Sequence, residues 1–408
     1  MKLDAKRWII LVAGIVACIF QGTAYASSVF AKPLTEFLGT TGGTFAMAFA
    51  LTIGLMPISM IVGGMVANSS KVRLGVIIGV LLYGLGIFAC GLVKSWPAFY
   101  FTFGLMMSFG GGLAYAAVMA IVLRWFPDKR GLASGLFVAS ISAGTIFIAP
   151  VAQSIIAAQG VRNMFLILGG VSTIVMVLAS LILANPPEGY LPEGFVPVKK
   201  AEVSGKDYTP LGMLGTVRFW ALFLIYACGA FGGLMVTSQL SKIATEMTHI
   251  TPAVAALFVS VLAISNTCGR FLWGWVSDKI GRMMSLTLMF AVTAAAMFAL
   301  PTFALVQTKL LVAVIAVGLC YGGYLGTFPS LTADSFGAKF IGINYALMFA
   351  GVSVASLFGP NIAASVFTST GSYEKAFVIG GFATLAGLVL CVIVMLGDRA
   401  KAAKPAQE

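Results

Sequence analysis

The chain has 408 residues, 60% of them hydrophobic and only 9% charged, with a formal net charge of +12 and a mean hydropathy of +1.01. Soluble domains carry about a quarter charged residues, so a water-soluble fold is excluded and a polytopic membrane protein is expected. The positive excess clusters in alternate loops and reads as membrane topology, so no nucleic-acid partner is expected.

The first seven residues include Lys2, Lys6 and Arg7, and an apolar run from Trp8 to about Phe30 follows. That run is too long for the core of a signal peptide, so it is expected to stay as a first membrane helix. Apolar runs recur along the chain and predict spans at 8–30, 44–66, 73–93, 97–122, 131–158, 163–184, 217–241, 252–277, 283–304, 309–332, 342–369 and 373–396. The long connection after Asn185 holds Pro186, Pro187, Pro192, Pro197, Lys199, Lys200 and Lys206 and reads as a polar linker. The expected organisation is an all-α membrane protein of twelve helices: a six-helix bundle over 1–184, a linker over 185–216 and a second bundle with a short tail over 217–408. If both termini and the even-numbered connections share one face, that face holds eighteen basic residues and the other six. The bias puts both termini and the linker in the cytoplasm, with the chain in the cytoplasmic (inner) membrane.

The halves repeat. At an offset of 210 residues Gly64-Met-Val-Ala-Asn68 lies over Gly274-Trp-Val-Ser-Asp278, and Phe126-Pro-Asp-Lys129 over Phe336-Gly-Ala-Lys339. One residue further on, Arg7-Trp8 lies over Arg218-Phe219 and Phe20-Gln-Gly22 over Phe231-Gly-Gly233. Two parallel repeats enclosing a central cavity are transporter architecture. The six cysteines all fall in apolar stretches without CxxC spacing, so free buried thiols are expected, with no disulfide, metal or cofactor.

Arg270 is the only charged residue well inside a predicted span. A charge there costs on the order of 3 kcal/mol on insertion scales, so it faces a cavity, finds a partner or does a job. A lone fixed cation points to a small anion. The competing reading is snorkelling, because the cytoplasmic end of the span lies roughly 10 Å away, within reach of a stretched side chain.

Gly274-Trp-Val-Ser-Asp278-Lys-Ile-Gly281-Arg282 resembles the loop motif of the major facilitator superfamily, with Asn68 replacing the acid in the first-half copy. It reads as a structural latch, in which Asp278 caps the next helix or pairs with Arg282. Arg124-Trp-Phe-Pro-Asp128-Lys-Arg130-Gly131-Leu-Ala-Ser-Gly135 suits a helix start at Asp128 and carries a small-residue packing face. This segment is similar to the superfamily's monocarboxylate-porter and oxalate–formate antiporter branch. Leu214–Trp220, Asn266–Gly274 and Ser356–Gly359 agree with it.

The resemblance implies the facilitator fold and a substrate carboxylate bound by Arg270. Animal members of the branch have an aspartate and a span-one lysine where this chain has Asn266 and, aligned from Tyr25, Ser27. The oxalate–formate members have a second cation where this chain has Val352. One guanidinium matches one carboxylate, so short monocarboxylates such as lactate and pyruvate are favoured over oxalate. Oxalate–formate exchange is the alternative transport reading, and a facilitator-fold anion sensor the alternative of another class.

Asn266 lies one helical turn from Arg270. It holds a substrate oxygen, orients the guanidinium or simply bonds a neighbouring helix. Tyr115 and Tyr321 offer mid-span hydroxyls, Tyr25 the same with packing as the competing role, and Leu325 and Phe349 a wall for the apolar end. None of the thirteen acids lies mid-span. A proton therefore crosses with the substrate, or uses His249, or is not coupled at all. Proton symport ranks first through the resemblance. An enzyme is not expected, since no HExxH or intramembrane Ser–His pair occurs. The expected partners are a monocarboxylate, a proton and the bilayer, with a monomeric chain.

Overall fold

The computed structural model describes residues 3–24, 26–39, 43–69, 71–192 and 207–402, and within them all regular structure is helical. The helices are α1 (Leu3–Ile19), α2 (Ser27–Leu38), α3 (Gly43–Gly54), α4 (Met56–Ala67), α5 (Val72–Cys90), α6 (Trp96–Phe99), α7 (Met107–Trp125), α8 (Arg130–Ser180), α9 (Pro210–Leu214), α10 (Val217–Met247), α11 (Pro252–Ile280), α12 (Arg282–Phe303), α13 (Gln307–Phe336), α14 (Ile341–Thr370) and α15 (Glu374–Ala402). Local chemistry sets several starts. The hydroxyls of Thr216 and Thr251 accept the backbone N–H groups of Phe219 and Val254, and Pro252 occupies the first turn of α11.

Among the described residues, eleven helical stretches are long and apolar enough to cross a membrane. One of them, the 51-residue α8, breaks at Gly160, where φ is 82° and ψ 167°. It therefore holds two crossings, and the twelve spans expected from the sequence are recovered. The first span departs from expectation. Instead of running unbroken to residue 30, α1 passes into a 3-10 turn at Phe20–Ala24, and a new helix begins at Ser27. Long-range bonds meet at this break: Tyr83 and Thr145 donate their hydroxyls to the carbonyls of Gln21 and Gly22, and Gln21 donates to Gly111 O. The Gly22 carbonyl also keeps its backbone bond from Ala26 N at 3.1 Å, so these side-chain bonds accompany the break without removing that ladder bond. The expected linker falls partly on residues 193–206, outside the described residues; after them comes the short helix α9.

The chain forms two compact units. The first comprises Met1–Asp128, Ser140–Val196 and Ala338–Leu347, and the second Lys129–Ala139, Pro197–Gly337 and Met348–Glu408. Each thus contains the start of one long helix, α14 or α8, drawn from the other half of the sequence. The two borrowed segments are related by nearly the repeat offset. Glycines let them in. A Cβ on Gly64 would overlap the backbone of Gly342 and Ile343 within the first unit, and one on the repeat-equivalent Gly274 would overlap Gly131 within the second.

The first unit packs Phe30, Phe45, Phe99, Phe103 and Phe165 edge to face and stacked. The second has a core from Met235 on α10 to Phe377 on α15. All six cysteines are free, but Cys268 is exposed and Cys228 half-buried, against the expectation of uniform burial. Cys268 lies two residues from both Asn266 and Arg270, roughly 200° around α11 from their buried face.

Gly64→Val is expected to destabilise the protein by about 1–3 kcal/mol through overpacking, read as a lowered melting temperature in detergent, whereas Gly170→Ala, at a position with open space around it, should leave it unchanged.

Candidate functional site

Arg270 and Asn266 sit four residues apart on α11 and share a face. Both are buried, with relative exposures of 7% and 8%. The Arg270 Nε–H donates to Asn266 Oδ1 at 3.0 Å, and Nη1 donates to the backbone carbonyl of Val138, at the start of α8, at 2.9 Å. These are its only hydrogen-bond partners among the described residues, where Nη2 makes no hydrogen bond and no carboxylate pairs with it. The side chain leans back toward the α11 N-terminus, as helical side chains do. It does not stretch toward the Lys279 end, as snorkelling would require.

The other candidates are distributed over both units. Tyr115 is 4% exposed and stacks on Tyr345 at 6.3 Å in the first unit. Tyr321, Leu325 and Phe349 belong to the second unit with Arg270. The Tyr321 ring fills the space over Gly233, Leu325 is buried, and half-buried Phe349 meets Tyr226 edge to face at 6.4 Å. Val352 is buried. His249 is exposed beyond the end of α10 with a positive φ of 55°. Tyr25 lies outside the described residues, as does the Ser27 side chain.

The loop-motif residues form a connected ion network within the second unit. Asp278 does not cap the following helix. Its Oδ1 accepts from Gly131 N at 3.0 Å and its Oδ2 from Leu132 N at 2.8 Å, so it caps α8, far away in sequence. A carboxylate at a helix start satisfies orphan amides and complements the dipole. Asp278 also pairs with Arg282 Nη2 at 2.7 Å. Arg282 Nε reaches Asp334 at 2.9 Å, and Arg130 reaches the other Asp334 oxygen at 2.7 Å. Gly281 takes φ 90°, which favours glycine and permits the abrupt turn from α11 to α12.

Asp128, expected to start α8, instead accepts Arg7 Nη1 at 2.9 and 3.0 Å in the first unit. The helix start is already served by Asp278, which frees Asp128 for this pair. Arg124 was read from the sequence only as part of a motif. Its guanidinium donates to the carbonyls of Ala67, Ala338 and Lys339 and to the amide oxygens of Asn68 and Asn185. Asp334 and the Val138 carbonyl were not anticipated. The offset of 210 places Asp334 over Arg124, a charge reversal that marks both positions; a backbone carbonyl carries no residue-type signal.

A doubled, all-helical, multi-pass membrane protein with a buried cation defines a secondary transporter. The chain belongs to the Major Facilitator Superfamily, whose sequence model matches residues 11–360 and 222–408. The oxalate:formate antiporter of Oxalobacter formigenes is 29% identical over 96% of this chain and 92% of that protein. Monocarboxylate transporter 12 of Xenopus laevis is 25% identical over 83% of this chain and 78% of its own length. The crystal structure of the superfamily transporter FucP in the outward conformation superposes with a TM-score of 0.72 at 15% identity, covering 95% of this chain and 99% of that one. This last likeness concerns the fold alone.

Asp278→Asn keeps the shape but removes the charge that serves two amides and Arg282. It should lower stability by about 1–3 kcal/mol, measured as a drop in melting temperature.

Proposed function

We propose that the chain carries short monocarboxylates, L-lactate and pyruvate among them, across the cytoplasmic membrane by alternating access and in symport with a proton. The observation that carries this reading is the charge state of the Arg270 site. The guanidinium is buried, both its hydrogen-bond partners are neutral, and Nη2 is left for a carboxylate oxygen. A unit charge about 4 Å away in such a setting interacts by roughly 4 kcal/mol at an effective dielectric of 20. One carboxylate completes the pair, whereas a second would need its own cation. Buried Val352 supplies none.

In this reading Asn266 orients the guanidinium, Tyr115, Tyr321 and Tyr25 offer hydroxyls, and Leu325 and Phe349 wall the apolar end. The proton travels on the substrate or through His249. The halves 1–184 and 217–408 act as the two repeats, with the termini and the 185–216 linker cytoplasmic and the carrier monomeric. The relatives named as monocarboxylate transporters support the substrate class.

A second reading, anion exchange of the oxalate–formate kind, draws support from the 29% identical antiporter. It also draws on the neutral partners of Arg270: an empty site keeps an uncompensated buried charge, which favours trading one anion for another over returning empty.

Arg270→Ala and Arg270→Lys should each cut labelled lactate uptake into proteoliposomes by about a hundredfold or more with membrane insertion unchanged. Near-normal uptake by the alanine variant would remove Arg270 from the mechanism. Val352→Lys should raise oxalate counterflow relative to lactate counterflow; an unchanged ratio would break the cation-counting argument.

A further inference from the structure

The α11 backbone at Arg270 is approached from two sides by bare glycine. A Cβ built on Gly326 of α13 would overlap the Arg270 carbonyl oxygen, carbon and Cα, and one built on Gly135 of α8 would lie 2.5 Å from the same oxygen. One turn earlier along α11, a Cβ on Gly322 would overlap the carbonyl of Asn266. The two flanking helices, α8 and α13, are also tied at this level, since Ser134 Oγ donates to Gly326 O at 3.0 Å. Val138 follows Gly135 by about one helical turn and brings its carbonyl to Arg270 Nη1 at 2.9 Å. The guanidinium thus placed is more than nine-tenths buried, with Nη2 making no hydrogen bond among the described residues.

We infer that Gly135 and Gly326 are positioning residues for the anion site: they set where the Arg270 guanidinium stands, through its main chain and through the Val138 carbonyl, without touching substrate. The inference rests on the reading of Arg270 as the carboxylate anchor. A methyl group at either position forces a shift of a close-packed backbone. Productive sites tolerate only about 0.5 Å of displacement, and a misplacement of about 1 Å costs on the order of a hundredfold. Arg270 keeps its charge in such a variant but loses its aim, so the defect falls on affinity.

The test uses the full chain, purified and reconstituted, with L-lactate as probe. Gly135→Ala and Gly326→Ala are compared with Gly387→Ala, a crowded position in the second unit whose Cβ would overlap a side chain, the Phe290 ring, rather than backbone, away from α11. The expected result is a rise of about tenfold or more in KM for lactate in the first two, with a smaller change in maximal rate. Gly387→Ala should lower the melting temperature yet keep KM within about twofold of wild type. Monodispersity and melting temperature report folding, and either of the two α11-facing variants suffices if the other does not fold. A folded Gly135→Ala or Gly326→Ala protein with wild-type KM overturns the inference, as does an equal rise in KM for Gly387→Ala. Normal lactate binding by Arg270→Ala overturns instead the anchor reading beneath it. A wild type that transports none of lactate, pyruvate, formate and oxalate overturns both.

Discussion

The structure turns on a guanidinium that is buried, hydrogen-bonded and yet not neutralised. The contrast with the other arginines is instructive. Arg7, Arg130, Arg218 and Arg282 each meet a carboxylate, and at the edges of helices such pairs serve as fasteners. Arg124 gives its donors to carbonyl and amide oxygens. Arg270 has two neutral acceptors and a terminal nitrogen in reserve. Neutral acceptors lower the cost of burial without cancelling the charge. The arrangement leaves this buried cation without a carboxylate partner among the described residues.

Holding that cation in place is a task for backbone. Glycines on α8 and α13 bring main chains against α11 closer than any side chain allows, which is how membrane helices gain packing energy where no hydrophobic drive exists between them. The start of α8 acts as a strut along α11. Asp278 grips its first amides, and the Val138 carbonyl grips Arg270 eight positions away. The loop motif and the buried cation are therefore two ends of one packed contact.

Much of this was legible in the sequence, and the legible part has a common character. Twelve spans, the doubled chain and the exceptional status of Arg270 follow from composition and period, which are local or repetitive. What could not be read depends on groups distant in sequence. The break in the first span is held by hydroxyls on Tyr83 and Thr145. The cap on α8 comes from Asp278, and Asp128 was assigned that role because it stood next to the helix start. Val138 was out of reach because its carbonyl is common to every residue.

The repeat itself shows how far equivalent positions diverge while the packing is kept. Gly64 and Gly274 serve the same close approach in their own units, but the polar groups beside them have changed sign. In the second unit the carboxylate of Asp278 takes backbone amides, and Asp334 gathers two arginines. In the first unit Asn68 stands at the Asp278 position and Arg124 at the Asp334 position, and it is the cation that takes backbone carbonyls, those of Ala338 and Lys339. Asp278 complements the dipole at the α8 start, whereas Arg124 takes the carbonyls of Ala338 and Lys339 that precede α14. The glycines are constrained by geometry, which admits one solution. The charges are constrained only by complementarity, which admits two, and that is why the second-half motif is easily recognised while its first-half counterpart reads as eroded.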